Sequence, residues 1–252
     1  MGLFDFLLAK RKQVPEHTSN ALPYLGDLNK TNKLYTLVQV PQAKRDASWE
    51  KSFLENVSGA SFRSGNPQVQ LGPDGLPYFQ LFLPEPNKSF QCYVIDQMKD
   101  DFLLAAGYGV AINPTKTGAD WVFSYGDILN LYLNKEFYTD TETSFLKAEN
   151  GVNIQPNEEI MVAQPAENLL PKQSQQIILN FLKESGIQTP KISLLMRHQK
   201  NGKGMVQDLV FNIDAQNFKD EQHYQRVVQK LAWYVPKHYT FITTTDKRFT
   251  GE

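Results

Sequence analysis

Hydrophobic and polar positions follow the clearest periods in the last third of the chain. They predict a helix, two strands, a second helix and a final strand, at residues 174–185, 191–199, 208–213, 218–234 and 239–243. Asn201 and Gly202 stand between the two strands and suit the positive φ angles of a tight hairpin. In the return strand Leu209 and Phe211 share one face, which predicts that Asp208 points outward. The last third is therefore predicted to be an αββαβ unit.

The first two thirds of the chain contain shorter patterns that predict both helices and strands. Apolar Trp49, Phe53 and Val57 recur at helical spacing, and Gly107 is a helix stop. Helices are predicted at residues 46–57, 96–106 and 127–134, the last of them capped by Asp127. Strands are predicted at residues 34–40, 78–83, 89–95, 108–113, 121–125 and 159–162, with 78–83 and 89–95 as an antiparallel pair.

The pattern also predicts where the chain divides. Residues 1–31 form an N-terminal apolar segment and a connector, and residues 137–158 are polar and irregular. We therefore predict an N-terminal α+β domain at 32–140 and a C-terminal α+β domain at 159–246. The predicted fold class is α+β, with two small mixed or antiparallel sheets covered by helices.

Composition narrows the chemistry and the compartment. The 252 residues include 26 Lys and Arg against 27 Asp and Glu, so no overall field attracts nucleic acid, and we expect no nucleic-acid partner. One cysteine, Cys92, cannot form an internal disulfide, and with four scattered histidines it offers no zinc cluster. We expect no metal, no cofactor and no identifiable small-molecule ligand. The reducing cytoplasm is the expected location.

The first residues raise the question of a membrane. Residues 3–8 are largely apolar and Lys10, Arg11 and Lys12 follow them, which is the reverse of a secretory signal. Phe6 occupies the position where a myristoylation motif needs Ser or Thr. A short amphipathic helix at residues 3–12 remains. It would either dock on the protein's own body or lie on a membrane surface.

Two stretches carry a family resemblance. The string Tyr108-Gly109-Val110-Ala111-Ile112-Asn113-Pro114, followed by Trp121-Val122-Phe123-Ser124, resembles the end of the N-terminal domain of the bacterial SseB family, named for enhanced serine sensitivity. Residues 192–242 resemble that family's C-terminal domain, in which a hairpin precedes a helix and a closing strand. The resemblance covers roughly half of the chain. It implies a two-part α+β architecture without defined catalytic residues.

One loop stands out as a candidate interaction surface. Residues 113–118 combine Asn113 and Lys116 with the flanking aromatics Trp121 and Tyr125, a mixture that is enriched where proteins bind each other. The alternative is a tight turn whose Trp121 packs into the core. Cys92 lies in a β-type run without a Cys–His signature, which favours a small buried hydrophobe over a nucleophile.

Three hypotheses about function follow. The first is a non-enzymatic cytoplasmic protein that binds another protein. The second is an enzyme with a site near Cys92 or the 113–118 loop. The third is a peripheral membrane protein that uses residues 3–12.

Overall fold

The computed structural model describes residues 24–139, 160–198 and 205–246. The chain divides into two compact units, Met1–Ser124 and Tyr125–Glu252. Each unit contains one four-stranded mixed sheet accompanied by helices, which confirms the predicted α+β class. The predicted segment at residues 3–12 and the Asn201-Gly202 pair lie outside the described residues.

The described residues of the first unit include the helical segments α1 to α3, a short 3-10 helix at Gln42–Lys44 and the strands β1 to β4. Helices α1 and α2 come first, then the hairpin β1–β2, then the segment α3 and the strands β3 and β4. Their bounds are Leu28–Val38 (α1), Ala47–Val57 (α2), Arg63–Leu71 (β1), Pro77–Phe82 (β2), Ile95–Met98 with Lys99–Leu103 and Leu104–Ala106 (α3), Gly109–Ile112 (β3) and Trp121–Phe123 (β4). The sheet order is β1-β2-β3-β4; β2 and β3 run parallel, and the other neighbours run antiparallel.

The prediction of a strand at residues 34–40 is wrong, because α1 occupies most of this range. The Asp27 carboxylate caps α1 and accepts hydrogen bonds from the backbone N–H groups of Asn29 and Lys30. Leu34 and Leu37, three residues apart, are both buried on one side of the helix. Capping and burial therefore outweigh the β-forming character of the side chains between them.

The predicted strand at residues 89–95 is also wrong. Only Tyr93 makes a strand-like contact, an isolated bridge in which it and Phe62 exchange two backbone hydrogen bonds of 2.8 Å. The chain enters α3 two residues later, at Ile95. Strand β2 consequently pairs with β1 and β3 and not with this run. The predicted helix at 96–106 is present, contains a π-helical turn, and ends at Gly107, whose φ is 72°.

The described residues of the second unit contain the predicted αββαβ arrangement. Helix α4 and strand β5, the latter predicted at 159–162, precede it. The bounds are Tyr125–Asn134 (α4), Ile160–Ala163 (β5), Lys172–Glu184 (α5), Ile192–His198 (β6), Met205–Phe211 (β7), Glu221–Tyr234 (α6) and Phe241–Thr243 (β8). The sheet order is β5-β6-β7-β8, with β7 and β8 parallel and the other neighbours antiparallel.

Asp208 does not point outward to solvent as predicted. Its carboxylate is buried, accepts a hydrogen bond of 2.5 Å from Thr240 Oγ1 and lies 3.3 Å from Nη2 of Arg197. Leu195 is paired with Asp208 across the strands and is fully buried, so this face of the sheet is an interior face as well. The alternation of apolar and polar residues correctly separates the two faces of β7, but both faces are buried.

Helix α4 belongs to the second unit. The Tyr125 hydroxyl donates a 2.8 Å hydrogen bond to Ser174 Oγ, and the Tyr125 ring lies 5.7 Å from that of Tyr234. A Cβ on Gly126 would lie 1.9 Å from the Val235 carbonyl oxygen, so only glycine permits this close approach. The sequence placed these residues in the N-terminal domain, because the polar stretch that follows them resembled a linker. Asp127, the predicted cap, lies within the first helical turn and is buried.

Candidate interaction surfaces

Asn113 fixes the start of the predicted loop. Its φ of 47° is a left-handed conformation that asparagine tolerates better than most residues. Its side-chain oxygen accepts a 3.0 Å hydrogen bond from the Leu83 N–H, and its amide nitrogen donates a 2.8 Å bond to Asp120 Oδ2. The polar groups of Asn113 are therefore used inside the protein.

Arg45 holds the other end of the same loop. Its Nη2 lies 2.6 Å from Asp120 Oδ1, its Nη1 donates to the Asp120 carbonyl, and its Nε donates to the Val40 carbonyl. The guanidinium carbon lies 4.4 Å from the centre of the Trp49 ring. The arginine thus ties α1, α2 and the loop together, a role that sequence spacing did not indicate.

The tip of the loop is exposed but internally bonded. Thr115 donates to the Gly118 carbonyl through both its backbone N–H, at 2.6 Å, and its hydroxyl, at 3.0 Å. Lys116 extends from this tip and is exposed. Trp121 is half-buried, with its ring centre 5.4 Å from that of Phe53 and 5.9 Å from that of Trp49. The loop therefore resembles the tight-turn alternative while still presenting a lysine to solvent.

The four candidate residues do not form one surface. Asn113, Lys116 and Trp121 lie in or beside the loop of the first unit. Tyr125 is fully buried in the second unit and is bonded to Ser174. Burial raises the pKa of the Tyr125 hydroxyl well above its ordinary value, since the phenolate would be poorly solvated there. Tyr125 is therefore no part of an exposed binding surface.

The side chains with potential for catalysis or metal binding make contacts within the protein. Cys92 is half-buried, with its sulfur 3.9 Å from the Tyr93 carbonyl oxygen. Nothing in the described ranges brings three or more His, Cys, Asp or Glu side chains together in a way that could hold a metal ion. Lys99 in α3 is buried and pairs with Asp96 at 3.0 Å and Asp100 at 2.9 Å. Burial opposes its charge, but the two carboxylates prevail and raise the pKa of Lys99.

Strand β5 forms a second candidate surface, which the sequence did not single out. Met161 is 57% exposed and its neighbour Val162 is 40% exposed. Because successive side chains of a strand point to opposite faces, apolar groups are exposed on both faces of β5. Ile160, at the start of the same strand, is half-buried and packs against Leu195 and Val210.

Two more methionines share a face with Met161. Met161 is paired with Met196 of β6, and His198, two residues further along β6, is paired with Met205 of β7. Directly paired residues and residues two apart lie on the same face of a sheet. Met205 is 38% exposed and Met196 is half-buried. We call Met161, Met196 and Met205 the methionine face.

No helix in the described part of the chain combines the length and the apolar character needed to cross a bilayer. A comparison of this chain with known protein families, with curated proteins and with solved structures finds no match.

Proposed function

We propose that this chain is a non-enzymatic protein-binding module of the SseB-like type, acting in the bacterial cytoplasm, and that its partner binds at strand β5. The family and the location rest on the residue strings around Asn113 and at 192–242 and on the single cysteine. The site of binding rests on the exposure of β5.

A single observation carries the binding proposal. Met161, which is 57% exposed, is directly paired with the half-buried Met196 on the methionine face, and Met205, which is 38% exposed, lies on the same face. Exposed apolar groups that adjoin one another are typical of surfaces that another protein covers. Methionine suits this use because its unbranched, polarizable side chain adapts to different partner shapes.

The surroundings of the polar clusters favour binding over catalysis. Lys99 is neutralised by Asp96 and Asp100, and Arg45 is held by Asp120 and by backbone carbonyls. These contacts support structural roles for both cations, because their charges are already satisfied. We therefore assign no reaction to the residues around Cys92 or to the 113–118 loop.

Affinity capture from the source bacterium tests the proposal. The bait is the full chain, as wild type, as a Met161→Thr and Val162→Thr double variant, and as a Lys172→Glu control. Threonine keeps strand propensity but removes the apolar surface, and Lys172 is an exposed cation of the same unit. We expect a partner that the wild type and the control retain and that the double variant loses. Equal retention by all three baits would disprove binding at β5.

The 113–118 loop remains the second candidate surface. Lys116 is exposed at its tip and Val122 of the adjoining strand β4 is 46% exposed. The bonds from Asn113 and Arg45 preorganise the loop, which lowers the entropy lost on binding. Adding a Lys116→Glu bait to the same capture experiment tests it. A partner lost only by this bait would move the binding site from β5 to the loop.

A further inference from the structure

We infer that the partner at β5 is an extended peptide segment that adds to the second sheet as a fifth strand. This inference rests on the proposed function and specifies its partner. It follows from the backbone of β5, from the contrast with the outer strand β1, and from the size of the exposed edge.

Among the described residues, the outer backbone edge of β5 is unpaired. All four residues of β5 pair with β6 in an unbroken antiparallel register, from Ile160 with Arg197 to Ala163 with Leu194. Within residues 24–139, 160–198 and 205–246, no strand pairs with the opposite edge of β5. The N–H and C=O groups on that edge are directed away from the sheet, in the geometry that a further strand requires.

Strand β1, one of the two outer strands of the first sheet, is built differently. In β1 the register shifts between Ser64 and Val69, and this interruption includes Pro67, which has no N–H to donate. Arg63, near one end of β1, adds a charge that pairs with Glu85. Bulges, prolines and charges of this kind keep other strands from pairing with an edge. Strand β5, with the sequence Ile-Met-Val-Ala, has none of them.

The size of the edge selects a peptide and not a second copy of the chain. Four residues span about 13 Å, and pairing two such strands buries far less than the roughly 1,200 Å² of a stable interface. A flexible peptide needs less area, because it gains backbone hydrogen bonds along the edge and side-chain contacts at alternate positions. The short edge and the apolar groups beside it fit that mode.

The side chains around β5 define the chemistry of the peptide. Alternate peptide residues would lie beside Met161 on the methionine face, where large apolar or aromatic side chains gain contacts with sulfur. The intervening residues would lie beside Val162, where smaller apolar side chains suffice. Arg197, the nearest cation of β6, is already paired with Asp208. The surface therefore suits a peptide without charge at its central positions.

The test uses defined peptides. A displayed library of random seven-residue peptides is selected on the immobilised full chain, and the most enriched peptide is synthesised for affinity measurement. Backbone N-methylation at its odd or its even positions removes hydrogen-bond donors from one edge of the peptide strand only. We expect one methylated series to lose at least tenfold in affinity and the other to stay within about twofold.

Protein variants complete the test. Met161→Thr should weaken the selected peptide at least tenfold, whereas Lys172→Glu should leave its affinity unchanged. The inference is overturned if no peptide is enriched, if both methylated series bind alike, or if Met161→Thr has no effect. It is also overturned if sedimentation shows a stable dimer of the chain that Met161→Thr dissociates. Failure of the peptide test does not decide the proposed function. The affinity-capture experiment tests that function separately, because it uses no peptide.

Discussion

Arg45 and Asp120 form an ion pair between positions that are 75 residues apart in the sequence, with Nη2 and Oδ1 separated by 2.6 Å. The side chains are only 10% and 19% exposed. Because Asp120 also accepts from Asn113, one carboxylate holds both the arginine and the first residue of the loop. The loop is therefore fixed by a contact that local sequence does not reveal.

Replacing Asp120 with alanine should lower the free energy of unfolding by about 3 kcal/mol, because it leaves the Arg45 charge largely buried and without its carboxylate. Urea denaturation measures the change. Glu167→Gln is the control, since it removes an ion pair with Lys172 in which both side chains are mostly exposed, and it should cause no resolvable change. Equal stability of the two variants would contradict a structural role for the Arg45–Asp120 pair.

Phe211→Ala should lower the free energy of unfolding by about 3–5 kcal/mol, as expected when a large buried aromatic side chain is removed. Phe211 is fully buried, and its ring packs edge to face on Phe241 with 5.6 Å between centres. Val162→Ala removes an exposed apolar group from the same sheet and should change stability by less than about 0.5 kcal/mol. A small effect of Phe211→Ala in urea denaturation would refute its place in the core.

Gly126→Ala should destabilise the protein by about 3 kcal/mol, the upper part of the range for overpacking. The added Cβ would overlap the Val235 carbonyl oxygen, so either α4 or the segment after α6 must move. Gly186→Ala provides the comparison: φ is 104° there, but no atom lies within 4 Å of the added carbon. Backbone strain alone should cost about 1 kcal/mol. Thermal unfolding compares the two variants. A lower melting temperature for Gly186→Ala than for Gly126→Ala would contradict the close approach of Gly126 to the Val235 carbonyl.

His238 should make stability depend on pH below neutrality. Burial lowers the pKa of its imidazole below the ordinary 6.5, and the Glu136 carboxylate opposes this shift only in part. The unfolded chain therefore binds the proton more tightly than the folded protein does. Stability should be complete above pH 6.5 and should fall as the pH decreases from 6.5 through the folded-state pKa.

Urea denaturation at a series of pH values between 5 and 7.5 checks this prediction. The wild type should lose stability relative to a His238→Gln variant as the pH decreases, because the variant cannot take up that proton. Carboxylates that titrate in the same range contribute equally to both proteins and cancel in the difference. A constant difference between the two curves would rule out the proposed role of His238.

The helices and strands of the αββαβ part of the second unit were predictable from sequence because the local signals agree. The stripe that contains Ile178 and Leu182, the stop at Gly186 and the alternation in β6 each predict the observed element. Residues Tyr35, Thr36 and Val38 gave the opposite result, since their β-forming side chains lie in helix α1. There the helix is stabilised by the Asp27 cap and by the burial of Leu34 and Leu37 in the folded protein. A short stretch of sequence does not reveal that burial.

The candidate surfaces were predictable only in part. Composition pointed to the 113–118 loop, but the fixation of Asn113 by Asp120 and Arg45 depends on contacts between distant segments. Strand β5 was predicted as a strand, yet a short apolar run has the same appearance in the centre of a sheet as at its edge. Only the pairing order of the described strands places Met161 and Val162 in an outer strand.

The order of the second sheet also limits how the free protein can self-associate. Its other outer strand, β8, has three residues that are all half-buried, so β5 is the more open of the two edges. Copies that meet through β5 alone use the same surface twice, and such a contact closes on itself after two molecules. Growth into a fibre would need both edges of the sheet. Any association of copies through β5 should therefore stop at a dimer, which light scattering at high concentration measures.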